Sequence, residues 1–243
     1  MEHALSNDLC IYCRTATATE DEHVFPDSWY PDTTPANVTR LKVPSCGRCN
    51  DEWEKVERAL GQELVMSVTR GTPGVAGVAE RLTRSWQPQR AKNEKDRRHR
   101  TARLLKVERT MTWAPPTPGK PQVIVRTQAG LYFRASPARR LDPSLRRRIA
   151  EKFIRGLHYA ETGAPLGDVT VHAEMLINKP VPTEWRGVEV ILGSVAPNDS
   201  LGPGFSYKSF HGADGSLWAF VIWGQILIIS VAVPSGFVLD PRH

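Results

Sequence analysis

The sequence predicts an α+β protein, with a small metal-stapled module at its N-terminal end and a larger body of helices and antiparallel sheet behind it. Three observations predict this. All four cysteines of the 243-residue chain fall in two tight pairs, Cys10-Ile-Tyr-Cys13 and Cys46-Gly-Arg-Cys49. Two later segments repeat apolar residues at spacings of three and four, the helical period. The segment 205–233 is apolar in short runs broken by turn residues, the pattern of a strand meander. The chain divides on this reading into a module over 1–66, a basic helical connector over 67–120 and an α+β body over 121–243.

The first 45 residues are loop and short strand, because Pro26, Pro31, Pro35 and Pro44 forbid a long helix. Segment 39–43 suits one short strand, and 22–24 its antiparallel partner. From Gly47 a helix begins, with Trp53, Val56, Leu60 and Leu64 on one face. It stops before the breaker Gly71-Thr-Pro-Gly74. A second helix is predicted over 75–86, ahead of Pro88. The stretch 90–109 is the most basic in the chain and reads as helix running into strand. Three prolines make 111–120 a connection.

Segments 123–125 and 131–133 read as a hairpin across Thr127-Gln-Ala-Gly130. Asp142-Pro143 then opens a helix, with Asp142 as N-cap and Pro143 in the first helical position. Leu145, Ile149, Phe153 and Leu157 form its stripe, and Gly163 ends it. Strands are predicted over 169–177 and 188–195, then over 205–210, 217–223 and 226–233. The run 217–233 is apolar enough to suggest a membrane span, but Gly224-Gln225 interrupts it and two strands joined by a tight turn account for it. There is no internal repeat and no low-complexity tract.

Composition bounds the function classes. Apolar content of 40% and charged content of 24% are those of an ordinary globular protein. The net charge of +6 fits a polyanionic partner without requiring one. Nothing in Met1-Glu-His-Ala4 resembles a secretory leader. Paired Cys-x-x-Cys turns suit a thiolate metal site in a reducing compartment better than a spread disulfide framework. The expected location is cytoplasmic, with no membrane contact.

Two Cys-x-x-Cys turns supply the four thiolates of a closed, structural zinc shell, with disulfides or free thiols as the alternative. The stretch between the knuckles exceeds the about 15–20 residues of a plain zinc ribbon, so something else is built there. It contains Glu22-His23. An imidazole can act as general base near neutral pH, and a carboxylate beside it can hold a hard divalent cation. Adjacent strand residues point to opposite faces, so the two act together only at a distorted strand end. Asn50 and Glu54 lie one helical turn apart and project from one face, where a carboxamide oxygen and a carboxylate could join Glu22 around an ion. Glu54 can equally pair with Arg58, and Asn37 can equally make a local turn.

Taken together, Cys-x-x-Cys, then Glu-His-x-x-Pro, a middle Asn, and Cys-x-x-Cys-Asn opening a helix resemble the HNH endonucleases over roughly residues 8–60. The resemblance implies a ββα-metal finger. It implies His23 as the base that activates water, Glu22 as the metal-binding acid before it, Asn37 as the residue that orients the base and Asn50 as a second metal ligand. Glu54 stands where some members place a further helix ligand, and Asp21 is an alternative acid. The Gly-Gly pair usual before the middle Asn is absent here, and the spacing from Asn37 to Cys46 departs from the family pattern. Trp53-Glu54 also replaces the basic residue common after the knuckle.

The implied activity is hydrolysis of DNA phosphodiester bonds, with Mg²⁺ or another divalent ion in the catalytic site and zinc in the structural one. The substrate implied is double-stranded DNA, cut to leave a 5′ phosphate. A module of this kind with a private C-terminal body looks like an effector of bacterial phage defence or a toxin, and that body offers a surface for a protein partner. Arg97, Arg98, Arg100 and Arg103 are the expected phosphate contacts, against the plainer reading of a solvated helix face. The alternative function is a non-catalytic zinc module that binds nucleic acid or protein.

Overall fold

The computed structural model describes residues 9–69, 71–110, 112–114, 123–126, 132–138, 142–177 and 179–237. Strand β1 (Glu20–His23) pairs antiparallel with β2 (Lys42–Ser45), and α1 (Gly47–Ser67) follows directly. The ribbon lies where the sequence places it, shifted by one to three residues. Most of the basic stretch forms α3 (Glu94–Thr110), entered from a 3-10 turn at Pro88–Arg90, and β3 (Thr112–Ala114) follows. β3 joins β4 (Val123–Arg126) and β5 (Tyr132–Ala138) in a three-stranded sheet of order β3-β5-β4. The expected turn 127–130 lies outside the described residues.

Helix α4 (Pro143–Thr162) begins and ends as its sequence requires. The Asp142 carboxylate accepts a hydrogen bond from the Ser144 amide at 2.8 Å, and Gly163 closes the helix in the left-handed region at φ 72°. Beyond it, β6 (Val169–Ile177), β7 (Phe205–Gly212), β8 (Gly215–Ile222) and β9 (Ile226–Pro234) form an antiparallel sheet of order β6-β9-β8-β7. Trp223 and Gly224, both at positive φ, make the tight β8–β9 turn, with the Gln225 amide bonded to the Ile222 carbonyl. Among the described residues no helix is long and apolar enough to cross a membrane.

Three expected elements differ, the first being Thr112–Ala114, which lies in the expected connection and forms strand β3. Segment 188–195, read as a strand, is helical as far as Gly193: α5 (Arg186–Gly193) packs against β7 and β8 of the four-stranded sheet. Val188 and Leu192 turn toward the sheet at helical spacing while Val190 and Ile191 remain exposed. A short apolar run satisfies both periods, and here the helical one prevails. The helix expected over 75–86 is broken. Gly77 sits at φ 72°, so α2 is confined to Val78–Thr83 between 3-10 turns at Pro73–Val75 and Arg84–Trp86.

One apolar core joins the N-terminal quarter to the body. Phe25, just after β1, packs against Phe153 of α4 and Phe205 of β7, with ring centroids 4.5 and 4.8 Å apart. Trp29 lies 5.7 Å from Trp223, whose indole N–H donates to the Trp29 carbonyl at 2.7 Å. Trp53, Val56, Leu60 and Leu64 of α1 are all buried in the same cluster, as are Ile149, Phe153 and Leu157 of α4. Gly156 lets α4 approach β1 closely, because a Cβ there would stand 2.7 Å from a Val24 methyl.

Candidate metal centre and adjoining site

The chain folds both knuckles toward one point. The first is a turn in which the Arg14 amide bonds to the Cys10 carbonyl at 2.8 Å. The second is the junction of β2 and α1, with Cys46 as the extended residue before the helix and the Asn50 amide bonded to its carbonyl at 3.0 Å. The Ile11 amide bonds to the Pro44 carbonyl and ties the knuckles together.

The sulfurs of Cys10, Cys13, Cys46 and Cys49 all lie within 4.8 Å of one another, and the thiols are free. This cluster can hold a tetrahedral metal ion such as zinc. Its electrostatics ask for a cation. Burial and the neighbouring thiols push Cys49 far up, and burial raises Cys46 as well. At Cys13 burial also acts upward, but hydrogen bonds from Thr15 and Ala16 outweigh it and bring the thiol down to about 6. Four thiolates in so small a space are stable only around a positive charge.

The ribbon sorts the neighbouring site residues by face. The register sets His23 opposite Lys42 and Glu22 opposite Val43. Directly opposed residues share a face and successive ones alternate. Glu20, Glu22, Val43 and Ser45 therefore share the helix-facing side of the ribbon, whereas Asp21, His23, Lys42 and Pro44 share the other. β1 alternates regularly here, and Glu22 and His23 do not converge.

Glu22 is buried, and its Oε1 accepts a hydrogen bond from Lys152 Nζ at 2.5 Å. The same ammonium bonds to the His23 carbonyl at 2.6 Å and to the Glu57 carboxylate. Lys152 comes from α4 and is completely buried. Glu57, on α1, is held up at about 7, chiefly by burial and against the pull of Lys152. Asn50 donates its side-chain N–H to Glu20, not Glu22. Glu54 pairs with Arg58 on the surface of α1. Asn37 lies exposed in a turn closed by the Val38 amide and the Pro35 carbonyl.

The structure therefore brings together the four cysteines, and separately His23 with Lys42. It does not gather Glu22, Asn50 and Glu54 around one point. This donor set does not fit a divalent ion as arranged, because the Glu22 oxygen that would ligate it is bonded to an ammonium. Sequence reasoning missed Lys152 and Glu57. Both carried a signal, since each is a charged residue on an apolar stripe: Lys152 beside Ile149 and Phe153, Glu57 beside Trp53 and Leu60.

His23 is partly exposed, and its imidazole is held below the ordinary histidine range. Burial is the main cause, opposed by Asp27 and reinforced by Lys42. Asp27 in turn pairs with Arg40, whose guanidinium lies 5.0 Å over the Tyr30 ring. Among the described residues Lys42 makes no ion pair. On α3, Arg97 and Arg98 reach Glu94 along an exposed surface, and Arg103 is exposed. Arg100 differs: it is mostly covered, pairs with Asp96 at 3.0 Å and donates to the Arg84 carbonyl at 2.5 Å. Comparison with protein-family models, with curated proteins and with solved structures finds no match for this chain.

Proposed function

We propose that the chain is a zinc-stapled module of HNH-endonuclease type that hydrolyses phosphodiester bonds of nucleic acid, with His23 as the general base. One observation supports the reading: an imidazole held below the ordinary histidine range stands on the outward face of the ribbon beside Lys42, which makes no ion pair among the described residues. A base with a lowered pKa is free of its proton at neutral pH. His23 takes a proton from water, whose oxygen attacks phosphorus while the 3′ oxygen departs. Lys42, across the ribbon, places positive charge beside the phosphate oxygens. No step is assigned to a divalent ion, because the Glu22 set does not accommodate one. Preference for duplex DNA and a 5′-phosphate product come from the family resemblance.

The test uses zinc-loaded full-length protein on plasmid, linear duplex, single-stranded DNA and RNA, with and without Mg²⁺. Wild type is expected to cut at least one of these. His23→Ala should cut about 10²–10⁴ times more slowly while keeping its zinc. Equal cleavage by His23→Ala would move the active site elsewhere.

A second reading, a zinc module that binds nucleic acid or a protein without cutting, is favoured by a specific observation. Glu22 and Asn50 are each engaged by a partner inside the protein. On that reading the exposed Arg97, Arg98, Arg103 and Lys42 supply phosphate contacts. Failure of wild type to cleave any substrate selects it.

A further inference from the structure

We infer that the Lys152 ammonium is the resident cation of the ββα unit, seated on the oxygens that a divalent ion would need. Its Nζ lies among three oxygens from two elements: Glu22 Oε1 at 2.5 Å, the His23 carbonyl at 2.6 Å and Glu57 Oε1. An ammonium has three protons, and these three acceptors use all of them. The shell is a cation cage with its cation already supplied by the chain.

The cage is closed. Lys152 is 0% exposed, and Glu22 is only 8% exposed. A divalent ion sharing these oxygens would lie within a few ångströms of the ammonium, and two cations that close in a buried site repel strongly. Ion and ammonium therefore exclude each other. The lysine also has no easy way out, because Gly156, one turn later, presses α4 onto Val24. Glu22 thus acts as a counter-ion to α4, and the C-terminal body completes a site whose other parts lie within the first 60 residues. Hydrolysis by the wild type accordingly needs no added divalent ion.

The inference concerns ion binding and holds whether the module cuts nucleic acid or only binds it. Mn²⁺ is titrated into zinc-loaded full-length protein and followed by electron paramagnetic resonance. Wild type should show no bound Mn²⁺ that Glu22→Gln removes. Lys152→Ala should gain one Mn²⁺ site, with a higher melting temperature in Mn²⁺, and Glu22→Gln in that background should abolish both. A wild-type Mn²⁺ site that Glu22→Gln removes overturns the inference and leaves the endonuclease reading intact, with its ion restored. A folded Lys152→Ala protein that gains no site overturns it too. If Lys152→Ala does not fold, the comparison of wild type with Glu22→Gln still decides. Absence of cleavage with no such site in wild type sinks the endonuclease reading alone.

Discussion

Gly156→Ala tests how tightly α4 grips the ribbon. The added Cβ would stand 2.7 and 2.8 Å from the two methyls of Val24. Carbon atoms in good contact sit about 3.5–4.0 Å apart, so the helix must retreat by about 1 Å or Val24 must move. Val24 is fully buried, its χ1 is stiff, and a rotation that clears one methyl brings in the other. Overpacking of this kind costs about 1–3 kcal/mol. Alanine returns up to about 1 kcal/mol through its better helix propensity. The retreat also stretches the Lys152 bonds one turn away, so the expected net loss is about 1–2 kcal/mol, or a fall in Tm of about 2–8 °C. Urea unfolding with an unchanged m-value is the assay. The double variant Val24→Ala/Gly156→Ala should be less destabilised than the sum of the singles by at least about 1 kcal/mol. Stabilisation of Gly156→Ala by about 1 kcal/mol would mean that helix propensity alone is acting and that α4 does not lie against Val24.

The purified protein should carry one Zn²⁺ per chain by elemental analysis, and Cys46→Ser should lose both the ion and the ordered ribbon, since ligand binding and local folding are coupled. Glu57 controls a pH dependence. Its folded pKa of about 7 lies above the ordinary glutamate value of 4.5, so its stabilising contribution is complete below about 4.5 and is lost as pH rises through about 7. Glu57→Gln should therefore flatten the stability profile across that window, and an unchanged profile in denaturant melts would remove Glu57 as the cause. On α3, Arg97→Ala, Arg98→Ala and Arg103→Ala should each lower the salt slope of nucleic-acid binding by about 0.9 if they meet phosphates. Arg100→Ala should instead loosen the start of α3, because it is already bonded to Asp96 and the Arg84 carbonyl. Identical slopes for all four variants would mark α3 as a solvated face.

Local chemistry made much of this fold legible. The knuckle spacing, the stripes of α1 and α4, the Asp142 cap and the Gly163 stop each act within a few residues, and the structure keeps them. Strand alternation alone already set Glu22 and His23 on opposite faces unless β1 was distorted, and it is regular. What escaped depended on distant partners. Residues 188–193 are helical because a sheet face lies beneath them, a choice their own apolar run leaves open between the two periods. Gly77 interrupts the expected helix in a close approach to Asp32, 45 positions earlier in the chain, where a Cβ would collide with the carboxylate. Glu22 meets a lysine 130 positions away, and only the final packing selects that partner over a metal ion.

That last separation has a consequence for how the protein is made. Translation at about 5–20 residues per second puts roughly 7–26 s between the synthesis of Glu22 and that of Lys152. Trp223, which covers Trp29, comes 194 positions after it and arrives later still. The cysteines leave the ribosome early and can take up metal at once, but a buried carboxylate and two large aromatic rings must wait for their partners. During that interval the nascent chain exposes Phe25 and Trp29 to any chaperone or neighbouring polypeptide. The first quarter of this protein is therefore not a cassette that could be cut out and transplanted. A fragment ending after α1 would keep all four cysteines and still show solvent the surface that α4 and the last strands are built to hide.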